Sequence, residues 1–352
     1  MVGGNPQHDA YGFRHWNNPG AFAEYISTGS KGRWEGFLGA LWIASFAITG
    51  PEYVAMASGE AKNPRKTLKT AFKWTYFRFF FFFVGTALCT SILVPYDDPI
   101  LKAVVTGESD VGAASASPYI IAMQNMGIGI FPHIATVLLV TTIFSAGNAY
   151  TYCATRTLYS LSLDGQAPKF FQKTTKAGVP LYCLLLTMVF PLLSFLTVSN
   201  GTATVITWLV NLVTAAQVLD YVIICITYLR FYKACKAQNL DRRSLPYYGW
   251  GQPYCAWVAL VFMTALVCGY GYEVFLPGHW DLGSFFTYYT MLLLAPVLYI
   301  GWKVTKKTKI VKPELADLIW DAPIIDALEA ETMDEERKGS LWKDLRSRFQ
   351  SR

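Results

Sequence analysis

ASFAITGPEYVAMASGEAKNPRKTLKTAFK, residues 44–73, begins inside an apolar run and ends in a basic cluster. The run from Phe37 to Ser58 is long enough to cross a bilayer as a helix of about 20 residues. Thr49-Gly50-Pro51-Glu52 interrupts it. Glycine frees the backbone there, and proline removes a donor and clashes with the preceding turn. Glu52 is an ionisable group near the midplane, where charge is costly and usually functional. A broken helix with a carboxylate at the break is the pattern of a transporter binding site. The plainer reading is a proline kink with Glu52 in a polar pocket.

The rest of the chain has the same character. Of 352 residues, 53% are hydrophobic and only 15% charged, whereas soluble domains run near a quarter charged. The mean hydropathy is +0.29. Aromatic residues reach 16%, which suits interfacial belts and lipid-facing helices. These values predict an all-α polytopic membrane protein. Seven cysteines are scattered without a CxxC pair, mostly inside apolar runs. They read as small buried hydrophobes, not as a disulfide or zinc framework. No metal is expected from that pattern, and the net charge of +6 comes from basic residues in loops between spans, so no nucleic-acid partner is expected.

Seven spans are expected, at 37–58, about 76–94, about 131–163, 180–198, 203–230, 254–276 and 283–302. The third is longer than a bilayer needs and reads as a tilted helix emerging into the cytoplasm. Pro191 is placed to kink the fourth. The run Phe79–Phe83 reads as a lipid-facing or packing surface, and Pro118–Met126 as a short lid helix. No basic segment followed by an apolar one opens the chain, so no signal peptide is expected.

The connecting stretches alternate in charge. Residues 59–75, 164–179, 230–253 and the start of the tail are basic; 95–117, 199–202 and 277–282 are acidic or nearly uncharged. The positive-inside rule places the basic set in the cytoplasm. Residues 1–36 are then outside, 37–302 form the membrane region, and 303–352 are a cytoplasmic tail. Within that tail, the highly charged Asp326–Lys338 reads as a solvated helix or as disorder. Leu341, Trp342, Leu345 and Phe349 share a helical face that could lie on the inner leaflet. An exposed tail with cytoplasmic trafficking partners is the alternative. Asn200-Gly201-Thr202 is a glycosylation sequon in an outside turn.

From Gly12 onward the chain resembles a fungal amino-acid permease of the amino acid–polyamine–organocation superfamily, nearest the dicarboxylic amino acid permease type. The residues carrying the resemblance are GFRHWNNPGAFAEY (Gly12–Tyr25), FAITGPE (Phe46–Glu52), GEAKNPRK (Gly59–Lys66), VPYDDP (Val94–Pro99), ASPYIIAMQNMGI (Ala116–Ile128), PHI (Pro132–Ile134), FSAGNAYTYCATRTLYSLSLDGQAPKF (Phe144–Phe170) and GVP (Gly178–Pro180). They run in family order over nearly the whole chain.

The resemblance implies an inverted-repeat fold of twelve helices, five plus five and two more. The seven spans would be helices six to twelve. Residues 1–36 would be the end of helix five and its outer loop, with about five spans expected upstream. Helix six unwinds at its break in such transporters, so Phe46, Ala47, Ile48, Thr49 and Gly50 are expected to present backbone to the substrate, with Phe46 as an aromatic gate. Pro51 departs from the family pattern. Glu52 is expected to couple transport to a proton, since removal from water makes a carboxylate easier to protonate.

Ser145, Asn148 and Thr151 recur every third residue and share one helical face. The resemblance implies that Ser145 and Asn148 line the central site; plain interhelical hydrogen bonding is the alternative. Asn211, Gln217 and Asp220 are polar residues in an otherwise apolar fifth span. Of these, Asp220 is the second acid to consider.

The function implied is proton-coupled uptake of amino acids, acidic ones included, by a multi-pass protein of the plasma membrane. The partners are the amino-acid substrate, the lipid bilayer and protons; the proton gradient stands in place of a cofactor. A seven-helix membrane receptor shares the topology. The broken first span and the long third span argue against it. No enzyme is expected: the four histidines form no HxxxH pair, and no nucleophile elbow or CxxC is present.

Overall fold

The computed structural model describes residues 8, 12–48, 50–61, 63–105, 117–198, 203–319, 322–331 and 333. Thr49, the sequon at Asn200, most of the acidic loop with Glu108, and the amphipathic pattern Leu341–Phe349 lie outside the described residues. In chain order the α-helices are α1 (Gly29–Ile48), α2 (Tyr53–Met56), α3 (Pro64–Phe79), α4 (Gly85–Leu93), α5 (Pro99–Val105), α6 (Pro118–Asn125), α7 (Phe131–Leu163), α8 (Leu181–Thr187), α9 (Ala203–Ala237), α10 (Tyr254–Gly269) and α11 (Leu282–Lys306). A π-helical turn, Phe80–Val84, joins α3 to α4. No strand occurs among the described residues, as expected for an all-α membrane protein.

Among the described residues, six stretches are long and apolar enough to cross a membrane: 29–60, 64–93, 131–163, 208–237, 254–275 and 282–306. The expected fourth span, 180–198, is different. Its α-helix stops at Thr187, and a 3-10 helix runs from Phe190 to Val198. Pro191 supplies the reason: its ring clashes with the carbonyl four residues back, at Thr187, and disfavours α geometry at Phe190.

The sequence marks a turn at Asn63-Pro64 and a helix start at Thr67, and α3 begins three residues earlier, at Pro64. Pro64 sits at the first position of α3, where a missing N–H costs nothing. Arg65, Lys66, Lys69 and Lys73 are therefore helical. The cysteines are free, and Cys153, Cys183 and Cys235 are buried as expected, but Cys89, Cys255 and Cys268 are exposed. Phe80–Phe83 are exposed on their helix, consistent with a lipid-facing run.

The chain divides into two compact units, 1–43 with 76–200 and 44–75 with 201–352. In the first, residues 23–27 run back along the start of α1. Glycine makes this possible: a Cβ on Gly32 would sit 1.8 Å from the Ser27 carbonyl oxygen, and one on Gly36 2.6 Å from that of Ala23. Glu35, buried on the same helix, accepts from the Ser27 N–H at 2.8 Å and its hydroxyl at 3.0 Å. Further along, Asp98 caps α5, accepting from the Ile100 N–H at 2.9 Å and from Asn125 Nδ2 at 3.3 Å. Val94, Ile121 and Ala122 form an apolar core between α4 and α6. Thr155 and Thr187 hydroxyls, 3.0 Å apart, link α7 to α8.

In the second unit α9 is the central post. It packs against α10 and α11, and buries Thr214, Ala215 and Val218. Beyond its end, Arg242 lies 4.9 Å from the centre of the Tyr232 ring and 5.2 Å from that of Tyr248, a cation–π cage that pins the following loop. Residues 322–331 are helical. The charged tail segment is therefore folded in its first part. It is held by Arg65, which pairs with Asp326 and Glu329 and donates through its backbone N–H to Glu329.

Candidate functional site: the break between α1 and α2

The helical path of α1 ends at Ile48 and resumes at Tyr53. Gly50 takes φ +127°, a value that strains any residue with a Cβ. Pro51 follows with no N–H to offer. The break thus arises from these two residues, as the sequence indicates. Beyond it the chain re-forms hydrogen bonds locally: the Tyr53 N–H donates to the Gly50 carbonyl at 3.0 Å, and the Ala55 N–H to that of Glu52 at 2.9 Å.

The Glu52 carboxylate turns back onto the break. Its Oε2 accepts from the Gly50 N–H at 3.3 Å and from the Tyr221 hydroxyl at 2.6 Å. The Tyr221 oxygen is also 3.4 Å from the Gly50 nitrogen. A carboxylate, a phenol and one backbone N–H therefore converge at one point. One turn away on the same face of α9, Gln217 Nε2 donates to the Tyr53 hydroxyl at 3.0 Å. Two helix positions on α9 thus hold the first two residues beyond Pro51.

The short bond from Tyr221 is charge-assisted when Glu52 is ionised. The geometry thus ties a discontinuous helix to α9 through one carboxylate.

Of the residues singled out from sequence, Gly50 and Glu52 are brought into direct contact. Phe46, Ala47 and Ile48 form the exposed last turn of α1. Ser145 and Asn148 lie on α7 in the first unit, both exposed. Thr151 on the same face donates to the Gly147 carbonyl at 2.9 Å and so turns to its own helix. Asp220 is exposed beside Tyr221 and within electrostatic reach of Glu52. Tyr53 and Tyr221 were not among the sequence candidates. The spacing Gln217-x-x-Asp220-Tyr221 was the available signal, one polar face on an apolar helix.

Comparison with known proteins agrees with this architecture. Residues 1–314 match the amino acid permease family. The chain is 44% identical over 308 residues to a general amino acid permease, AGP2, of Saccharomyces cerevisiae, covering 86% of this chain and 51% of that relative. It is 37% identical over 345 residues to the dicarboxylic amino acid permease of the same yeast, covering 97% of this chain and 56% of the relative. A proline-specific permease of Emericella nidulans is likewise 37% identical over 344 residues, 97% of this chain and 62% of the relative. No solved structure matches. The chain spans about half the length of the curated relatives it matches. With the family matched over most of its residues, a discontinuous helix and six apolar helices, this chain is a multi-pass membrane protein of the amino acid permease family.

Proposed function

We propose that this chain forms part of a proton-coupled amino-acid importer of the plasma membrane. Membership of the permease family supports transport over a receptor or an enzyme. The named relatives include general, dicarboxylic, proline-specific and lysine-specific permeases. Acidic amino acids are the proposed substrates.

The single observation that carries the mechanism is the Glu52 carboxylate folded onto the Gly50 N–H and held by Tyr221. In this reading the backbone of Phe46, Ala47, Ile48, Thr49 and Gly50 receives the charged ends of the substrate, with Ser145 and Asn148 as further contacts. Freed N–H and C=O groups at a helix break are suited to that task, because they carry partial charge without a counter-ion. Glu52 takes up a proton in one state and releases it in the other, so the break and α9 are tied and untied once per cycle.

The test is uptake of labelled glutamate, aspartate, proline and lysine by cells that express the complete gene and lack their own permeases. The expected result is saturable uptake that rises as external pH falls, with glutamate and aspartate preferred. Saturable uptake of neutral or basic amino acids alone would overturn the substrate assignment. Absence of any amino-acid uptake from protein shown to be at the cell surface would overturn the transport reading.

A further inference from the structure

Tyr53 stands directly over the break. A side chain on Gly50 would project onto its ring, with the Cβ position 3.7 Å from Cδ2 and 3.9 Å from Cε2 of Tyr53. The ring therefore covers the face of Gly50 that the missing side chain leaves open. Its hydroxyl is not left to wander: Gln217 Nε2 donates to it at 3.0 Å. Gln217 Oε1 is shielded from solvent and has no hydrogen-bond partner among the described residues. A buried amide with one half unpaired is costly, and in this structure its bond to Tyr53 is the one that offsets the cost. Ring, hydroxyl and amide make one device that closes the break from the side.

We propose that Tyr53 is a gating residue at the break and that Gln217 is the positioning residue that holds the gate closed. The inference rests on the amino-acid transport reading. For a substrate to reach the backbone at Gly50, the Tyr53 ring must swing away, and the bond to Gln217 must break. The closed arrangement is therefore the favoured one without substrate. A ligand that binds only the open form has its apparent affinity reduced by the fraction of molecules that are open. Weakening the latch raises that fraction, so the account predicts tighter apparent binding from the loss of a hydrogen bond. A residue that merely supports the fold, or one that touches substrate directly, would give the opposite sign.

The experiment compares Tyr53→Phe, Gln217→Leu and the double variant in cells that express the complete gene, with initial uptake rates measured against substrate concentration. Tyr53→Phe keeps the ring and removes one oxygen. Each single variant is expected to lower KM a few-fold, by about five-fold for an ordinary hydrogen bond, with the change carried by KM rather than by the maximal rate. The double variant is expected to lower it no further, because both remove the same bond. A KM that rises or stays unchanged in Tyr53→Phe would overturn the gate, as would two effects that multiply. If Gln217→Leu does not reach the cell surface, the direction of the KM change in Tyr53→Phe decides alone. Wild-type uptake with KM unmoved by either variant sinks only the gate. Wild-type protein at the surface with no amino-acid uptake sinks the transport reading and the gate with it.

Discussion

The Tyr221 hydroxyl lies 2.6 Å from Glu52 Oε2, so the carboxylate at the break is anchored by a residue 169 positions further along the chain. This bond ties the discontinuous helix to α9. A hydrogen bond to a charged group contributes about 1.5–3 kcal/mol. Tyr221→Phe removes the donor and little else. Uptake is expected to fall about ten-fold or more, with surface expression retained. Combined with Glu52→Ala, which removes the acceptor, it should add little further loss, because both changes break one link. Full additivity in a double-mutant cycle would show that the two residues act separately.

Gly50 carries the backbone conformation that makes the break. At φ +127° a β-branched residue is strained by about 1–3 kcal/mol. Gly50→Val is expected to impair substrate binding and to lower thermal stability of the solubilised protein. Retained affinity in this variant would reduce the break to a simple kink.

The break and its acid were legible in the sequence, and the residues that hold them were not. Gly50-Pro51-Glu52 interrupts an apolar run, and a carboxylate inside such a run stands out because charge there is costly. Tyr53 and Tyr221, by contrast, are two of 21 tyrosines, and their hydroxyls matter only because folding brings α9 to the break. The long helix α7 was readable from hydropathy over 131–163. The start of α3 was readable to within three residues, Thr67 against Pro64, because the turn at Asn63-Pro64 marks it. Pro191 alone signals a kink in a span; in the structure α8 ends four residues before it, at Thr187.

The reversal ahead of α1 depends on two glycines. A Cβ on Gly32 would overlap the Ser27 carbonyl at 1.8 Å. Gly32→Ala is expected to push residues 23–27 off the helix, part Glu35 from Ser27, and destabilise the protein by about 1–3 kcal/mol. Gly39→Ala, where a Cβ meets nothing within 4 Å, serves as the control. Melting followed by fluorescence-detected size exclusion measures both. Equal melting temperatures would contradict the packing described.

Asp281 caps α11 by accepting from the Ser284 N–H at 2.7 Å. That backbone hydrogen bond, with the Ser284 side chain, holds its carboxyl below the usual carboxylate range. A carboxyl group whose pKa is depressed in the folded state stabilises the fold above its unfolded pKa of about 3.9. That stabilisation is lost as pH falls through the lower, folded value. Asp281→Ala should therefore melt earlier than wild type at neutral pH and converge with it in strong acid. A gap that does not shrink with acidity would show that the cap does not act through its charge.

The central claim is that Glu52 carries the coupling proton at the break. Glu52→Gln keeps the shape and the acceptor oxygen but cannot ionise. The most direct measurement is initial amino-acid uptake against external pH, wild type beside Glu52→Gln, each expressed from the complete gene and matched for surface protein. The account predicts a steep rise toward acid pH in wild type and a flat profile in Glu52→Gln. A variant that transports with the wild-type pH dependence would contradict it.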